Sequence, residues 1–199
     1  FKEKSPKINE LGLEIIGRIK VNNMNTKTLH SKVDLFKTGG EISYKGDASV
    51  AKFLLGGLGT GNISVGPRGE LRDWEIFNWP GKGQFVPFSF FAIWTKEEGK
   101  EPVSRILESK ICPPFYKSHG FLNGELAGIP RFEESKMVGK QPFVYVDLKD
   151  STVPVTVQME AYTPFIPLNA DDSGIPTAII KYKVTNPTDK AVDVSVVGT

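Results

Sequence analysis

The chain has 199 residues, enough for one domain with a hydrophobic core or at most two small ones. Its 39% hydrophobic and 24% charged content is that of a globular protein, and a net charge of +2 gives no basis for binding nucleic acid or an anionic membrane. Fourteen prolines and twenty glycines favour turns and short strands over long helices.

The small basic surplus lies in residues 1–52, ten Lys/Arg against six acids, and reads as a solvated arm. A single cysteine, Cys112, excludes an internal disulfide and fits a reducing compartment. In "ICPPF" it reads as a small apolar side chain, because a catalytic thiol needs a histidine and nothing places His30 or His119 beside it. One cysteine and two histidines also make no zinc cluster, so no metal is expected. No apolar run approaches the ~20 residues of a membrane-spanning helix. "FKEKSPKINE" lacks the apolar centre of a signal peptide, so a cytoplasmic location is expected, and Phe1 in place of methionine fits a start further upstream.

Residues 1–43 form an unassigned N-terminal segment, in which "LGLEIIGRIKV" fits a strand or a short helix equally. After residue 50 the period is that of β-sheet almost everywhere. The glycines at 56, 57, 59 and 61 precede Ile63 and Val65, which alternate. Gly66-Pro67-Arg68-Gly69 then makes a four-residue hairpin loop, and Trp74 and Ile76 alternate after it. "FVPFSFFAIW" (85–94) is apolar on both faces and reads as a central strand entered irregularly at Pro87. "VSRILES" is a further candidate strand, and residues 111–142, broken by Pro and Gly, read as a long structured connection. "FVYVDL" places Val144, Val146 and Leu148 on one face, and "KDST" turns the chain. In "VPVTVQMEAY", Val153, Val155, Val157, Met159 and Ala161 share a face, with Thr156, Gln158 and Glu160 on the wet side. Ala178, Ile180, Tyr182 and Val184 alternate again, "NPTDK" turns, and Val192, Val194 and Val196 read as the returning arm of a second hairpin. The expected fold is all-β, an antiparallel two-sheet β-sandwich, in which one sheet covers the apolar face of the other. The apolar last strand, as an open edge, leads to the expectation of an incomplete portion of a larger sandwich domain.

The glycine run raises a nucleotide reading and fails it. The third glycine of G-x-G-x-x-G falls at Asn62, no helical period follows, and Gly61-Asn62-Ile63 is not the end of a P-loop. A backbone without side chains at 56–61 suits positive φ, a tight crossing between sheets, or close approach by another surface. Asp73 and Glu75, two apart on one strand, could bring their carboxylates within roughly 7 Å, the scale glycoside hydrolysis uses. The competing reading is a solvated strand face. Trp74, Trp79 and Trp94 read as core anchors, with a sugar platform as the alternative. Asp171 and Asp172 in "NADDSG" read as turn residues that cap their own backbone, and the glycosylation pattern at Asn62 is discounted for want of any sign of secretion.

"KFLLGGLGTGNISVGPRGELRDWEIFNWPGKG", followed by "AGIPRF" (127–132) and "EAYTPFIPLNADDSGIPTAIIKYKVTNPTD" (160–189), resembles the opening of glycoside hydrolase family 116. That family includes the non-lysosomal glucosylceramidases and bacterial β-glucosidases. The likeness spans about residues 44–199; Leu54 departs from the proline expected there. The resemblance implies an N-terminal β-sandwich packed on a C-terminal (α/α)6 catalytic domain of the same protein. It also implies retaining cleavage of β-glucosides by a nucleophile glutamate and an acid/base aspartate of the helical domain. None of this chain's carboxylates matches those motifs, so no catalytic residue is assigned here, and Asp73 and Glu75 belong to the sandwich motif instead. No cofactor is implied. Gly59, Thr60 and Gly61 are expected to form a close-approach loop at the interdomain cleft, flanked by Arg72, Asp73 and Trp74. The alternative is a free-standing sandwich module that binds carbohydrate or protein through exposed aromatics; a complete small hydrolase using Asp73 and Glu75 is the third.

Overall fold

A computed structural model describes residues 42–113, 115 and 123–199. The segment read as strand or helix at 11–21, His30 and His119 lie outside the described residues. All described residues belong to one compact unit, Glu41–Thr199.

The five-stranded sheet has the order β1 (Ile42–Lys45), β8 (Glu134–Lys140), β9 (Phe143–Lys149), β10 (Thr156–Tyr162) and β11 (Ile179–Thr185), all antiparallel. Its centre shows why the sequence folds this way. Val144, Val146 and Leu148 on β9 and Val157, Met159 and Ala161 on β10 are buried, while the residues between them face outward. The register lines up Met137, Val146, Met159 and Tyr182 across four strands, so one layer of apolar side chains covers the sheet. Each such side chain, fully buried, contributes about 1.5–3 kcal/mol.

The four-stranded sheet has the order β12 (Val192–Gly198), β5 (Phe91–Glu97), β6 (Val103–Ser109) and β7 (Arg131–Phe132), with β6 and β7 parallel. A third sheet, absent from the two-sheet expectation, joins β2 (Phe53–Leu55), β3 (Asn62–Val65) and β4 (Leu71–Glu75). All three sheets feed one core: Ile93, Leu107 and Phe132 meet Val146 and Met159, with Leu55 and Val65 joining from the small sheet. Phe91 and Tyr182 touch across the layers with ring centroids 5.3 Å apart. The all-β, antiparallel sandwich is thus the architecture, with a small third sheet beside it.

Three local expectations are corrected. The strand expected from residue 85 starts at Phe91, because Pro87 has no N–H to donate and Phe88 takes a left-handed φ of 62°. The supposed connection 111–142 contains the full strand β8. Only Ser135 and Met137 are buried along it, too few to announce a period, so pairing with β1 and β9 on either side imposes the strand. Finally, β11 and β12 do not form a hairpin. β11 pairs with β10, and the chain crosses at Asn186–Lys190 to pair β12 with β5 in the other sheet.

Candidate functional site

Residues 56–61 connect β2 to β3, and their path is set by the segment 163–177. The Gly56 N–H donates to Thr163 Oγ1 at 2.7 Å, and the Leu58 N–H to the Ser173 carbonyl at 2.9 Å. A Cβ on Gly57 would lie 2.4 Å from the Ile175 carbonyl oxygen, so this glycine is a close crossing of two backbones. Gly61, at φ 99°, is similarly packed, its missing Cβ 2.7 Å from the Glu75 carbonyl oxygen. Gly59 differs: it is exposed, at φ 72°, with nothing within 4 Å of a Cβ. Thr60 is exposed and folds back, its hydroxyl donating to the Gly57 carbonyl at 3.0 Å. The segment that fixes the loop contains a one-turn helix, α1 (Ala170–Ser173). Its cap is Asn169, which accepts from the Asp172 N–H at 3.1 Å; Asp171 and Asp172 lie inside the helix instead of capping a turn.

Across the hairpin, the 66–69 turn closes with the Gly69 N–H donating to the Gly66 carbonyl at 3.0 Å, as expected of a four-residue loop. A bulge then shifts β4, so that Asn62 pairs with Glu75 and Ser64 with Arg72. At the bulge Asp73 is buried with a left-handed φ of 52°. Its Oδ1 accepts from the Gly83 N–H at 2.6 Å, and its own N–H donates to the Gln84 carbonyl at 2.8 Å. Glu75 accepts from the Gly81 N–H at 3.2 Å and pairs with Lys82 at 2.7 Å. The Lys82 hydrogen bond, with the Gly81 N–H, holds the Glu75 carboxyl below its ordinary value. Both carboxylates are therefore tied to one loop, 81–84. That pairing favours the ionised form of Glu75, the opposite of what the protonated acid of glycoside hydrolysis needs. Neither carboxylate lies on a freely solvated strand face.

Arg72 points elsewhere. It pairs with Glu125 at 2.5 Å and its guanidinium lies 5.2 Å from the centre of the Phe85 ring. Beside it, beneath the hairpin turn, Glu70 binds Lys52 at 2.9 Å and accepts from the Arg68 N–H at 3.0 Å, while Arg68 and Arg131 share Glu108 at 3.3 Å each. Burial alone would raise the Glu70 carboxyl, but Arg68 and Lys52 outweigh it and leave it below its ordinary value. A Cβ on Gly66 would lie 2.1 Å from the Glu70 carboxylate, which is folded over that glycine. This ionic cluster holds the turn, and the sequence reading missed it because its members are scattered from 52 to 131.

None of the three tryptophans is a core anchor. Trp79 is 71% exposed, Trp94 is 37% exposed, and Trp74 is half-buried with its Nε1 shielded and unpartnered. Cys112 is half-buried and free. Asn62, whose Oδ1 is likewise shielded and unpartnered, is half-buried in β3. A groove of about 510 Å³ lies apart from the glycine loop, between Lys45, Lys110, Lys136 and Glu133, Glu134, Asp147, so it carries no preference for either charge sign. Among the described residues, no group of three or more His, Cys, Asp or Glu could hold a metal ion, and no helix is long and apolar enough to cross a membrane.

A glycine loop followed by strand β3, with no helix behind it, ends the nucleotide reading on structural grounds. Compared with known families, residues 53–199 match the family described as beta-glucosidase 2, glycosyl-hydrolase family 116 N-term. The chain belongs to this family. The match begins at the first residue of β2 and includes the glycine loop, the hairpin, the Asp73–Glu75 clamp and all strands from β2 to β12. A family 116 N-terminal module is one part of a glycoside hydrolase, with a further domain in the same polypeptide.

Proposed function

We propose that this chain is the non-catalytic N-terminal β-sandwich of a retaining β-glucosidase or glucosylceramidase-type hydrolase. The nucleophile glutamate and acid/base aspartate then belong to a helical (α/α)6 domain of the same polypeptide, and the substrate is a β-glucoside. Two carboxylates suffice for that chemistry, so no cofactor is invoked. The observation that carries the reading is the family 116 match over residues 53–199, joined to the engagement of Asp73 and Glu75 with the 81–84 loop. In this reading Gly59, Thr60 and Gly61 border the interdomain cleft. Asp73 and Trp74 support that border from β4, while Arg72 braces the hairpin from its other side. The test is a chromogenic β-glucoside assay on both forms. The full-length protein turns it over and this chain alone does not. Turnover by the chain alone that disappears in Asp73→Asn would make it a complete small hydrolase and end this reading.

The exposure of Trp79 favours one competitor, a free-standing module that binds carbohydrate through aromatics. Saturable quenching of tryptophan fluorescence by glucosides or oligosaccharides would select it, and a flat titration would reject it.

A further inference from the structure

Beneath the 66–69 turn, Lys52, Arg68 and Arg72 line one cavity of about 170 Å³, together with Ser49, Glu70 and Glu125. The three cations come from separate stretches of chain. Lys52 precedes β2, Arg68 sits in the hairpin turn and Arg72 lies on β4. Their side chains are largely shielded, at 24%, 8% and 15% exposure.

Among the described residues of this cluster the charges do not balance. Four cations, Lys52, Arg68, Arg72 and Arg131, meet three carboxylates. Glu70 serves both Lys52 and Arg68, Glu108 serves both Arg68 and Arg131, and Glu125 holds Arg72. Asp73 does not line the cavity and is engaged by the Gly83 N–H. Three of the four cations are arginines, which keep their proton, so deprotonation of those side chains cannot remove the surplus. A shielded charge without a counter-charge is costly.

Donors are left over as well. Arg72 reaches Glu125 through Nη2 alone, and Arg68 reaches Glu108 and the Ser109 carbonyl through Nη1 alone. Arg68 Nη2 and Arg72 Nε and Nη1 make no hydrogen bond among the described residues. Lys52 uses two of its three N–H groups, on Glu70 and the Ser49 carbonyl. Arg131, by contrast, is fully occupied by Glu108 and the carbonyls of Glu125, Leu126 and Ile129, so it is a brace. Open guanidinium edges beside an ammonium group suit the oxygens of a tetrahedral oxyanion. Size points the same way: the cavity exceeds the ~30 Å³ of a water but falls below the about 300–1,000 Å³ of organic-ligand sites.

We propose that this cavity binds a small free oxyanion, phosphate or sulfate, between Arg68, Arg72 and Lys52. The ion lies on the guanidinium edges that Glu70 and Glu125 leave open. It supplies the missing negative charge and ties the approach to β2, the hairpin turn and β4 together. The site does not depend on the family 116 reading.

The test is calorimetric titration of the full-length protein with inorganic phosphate, at constant ionic strength in chloride. Wild type is compared with Arg72→Gln, Lys52→Gln and, as a control on a distant exposed cation, Lys181→Gln. One saturable site is expected in wild type and in Lys181→Gln, with affinity at least about tenfold weaker in the other two, the factor one lost charge-assisted hydrogen bond brings. Cooperative melts in chloride establish that each variant is folded, and Lys52→Gln stands in if Arg72→Gln is not. Phosphate and sulfate should also raise Tm in wild type more than in either cavity variant, which retain only the general salting effect. No saturable heat in wild type overturns the proposal. So does unchanged affinity in both cavity variants, an equal loss in Lys181→Gln, or tighter binding of glycerol 3-phosphate than of the free ion.

Discussion

Gly57 and Gly59 stand two residues apart in one loop, and alanine at each should have different consequences. At Gly59 the added methyl meets nothing within 4 Å, so the cost is that of a left-handed alanine at φ 72°, about 1–2 kcal/mol, partly offset by a stiffer unfolded chain. A net loss of about 1 kcal/mol lowers Tm by roughly 2–4 °C in a domain of this size. At Gly57 the methyl would lie 2.4 Å from the Ile175 oxygen and 2.8 Å from the Gly174 oxygen, both backbone atoms that cannot rotate away. The two segments must separate, which costs about 1–3 kcal/mol in overpacking and about 1 kcal/mol more if the Leu58–Ser173 bond is lost. Gly61→Ala combines a φ of 99° with a 2.7 Å clash and belongs with Gly57. Urea unfolding followed by tryptophan fluorescence measures all three. The expected order is Gly59→Ala mildest, with the other two losing about 2–4 kcal/mol. Equal losses at Gly57 and Gly59 would refute the crossing as the reason for the glycine run. In the full-length enzyme, Gly59→Val should reduce activity more than stability, while Gly61→Val should lose both, because its neighbour is the β4 backbone.

Glu70→Gln leaves the half-buried Lys52 without its counter-charge and Arg68 with Glu108 alone, and should cost about 1–3 kcal/mol. Because the Glu70 carboxyl titrates lower folded than unfolded, its contribution is present above its ordinary value of 4.5 and is lost as pH falls through the lower folded value. Denaturation curves between neutral pH and pH ~3 should therefore show a shallower acid decline in Glu70→Gln than in wild type; parallel declines would count against the cluster. Asp73→Asn keeps an acceptor for the Gly83 N–H and a residue that tolerates φ 52°, so it should be nearly neutral in thermal melts. Asp73→Ala should lose about 1–3 kcal/mol, and equal melts for the two would contradict the clamp. Phe132→Ala, where the three sheets meet, should cost about 3–5 kcal/mol by chemical denaturation, and a loss under 1 kcal/mol would mean the site collapses freely.

Much of the fold was legible because burial on one face of a strand writes itself into the chain as period two. Val144, Val146 and Leu148 and Val157, Met159 and Ala161 state which face is wet before any partner strand is known. The turn at 66–69 and the kinship of the glycine run could be read for the same reason, since both are contiguous in sequence. Partners distant in sequence could not be read this way. Alternation in β12 says that it is a strand but not that it leaves β11 to pair with β5, because period two is identical in either sheet. β8 has too few inward side chains to declare itself and exists because β1 and β9 supply its hydrogen bonds. Asp73 and Glu75 have the spacing of a catalytic pair, and only the return of the 81–84 loop, across a bulge that no local pattern marks, turns them into braces. Local periodicity determined which segments are strands and which faces are apolar; the pairing of segments far apart in the chain decided what each carboxylate and each glycine is for.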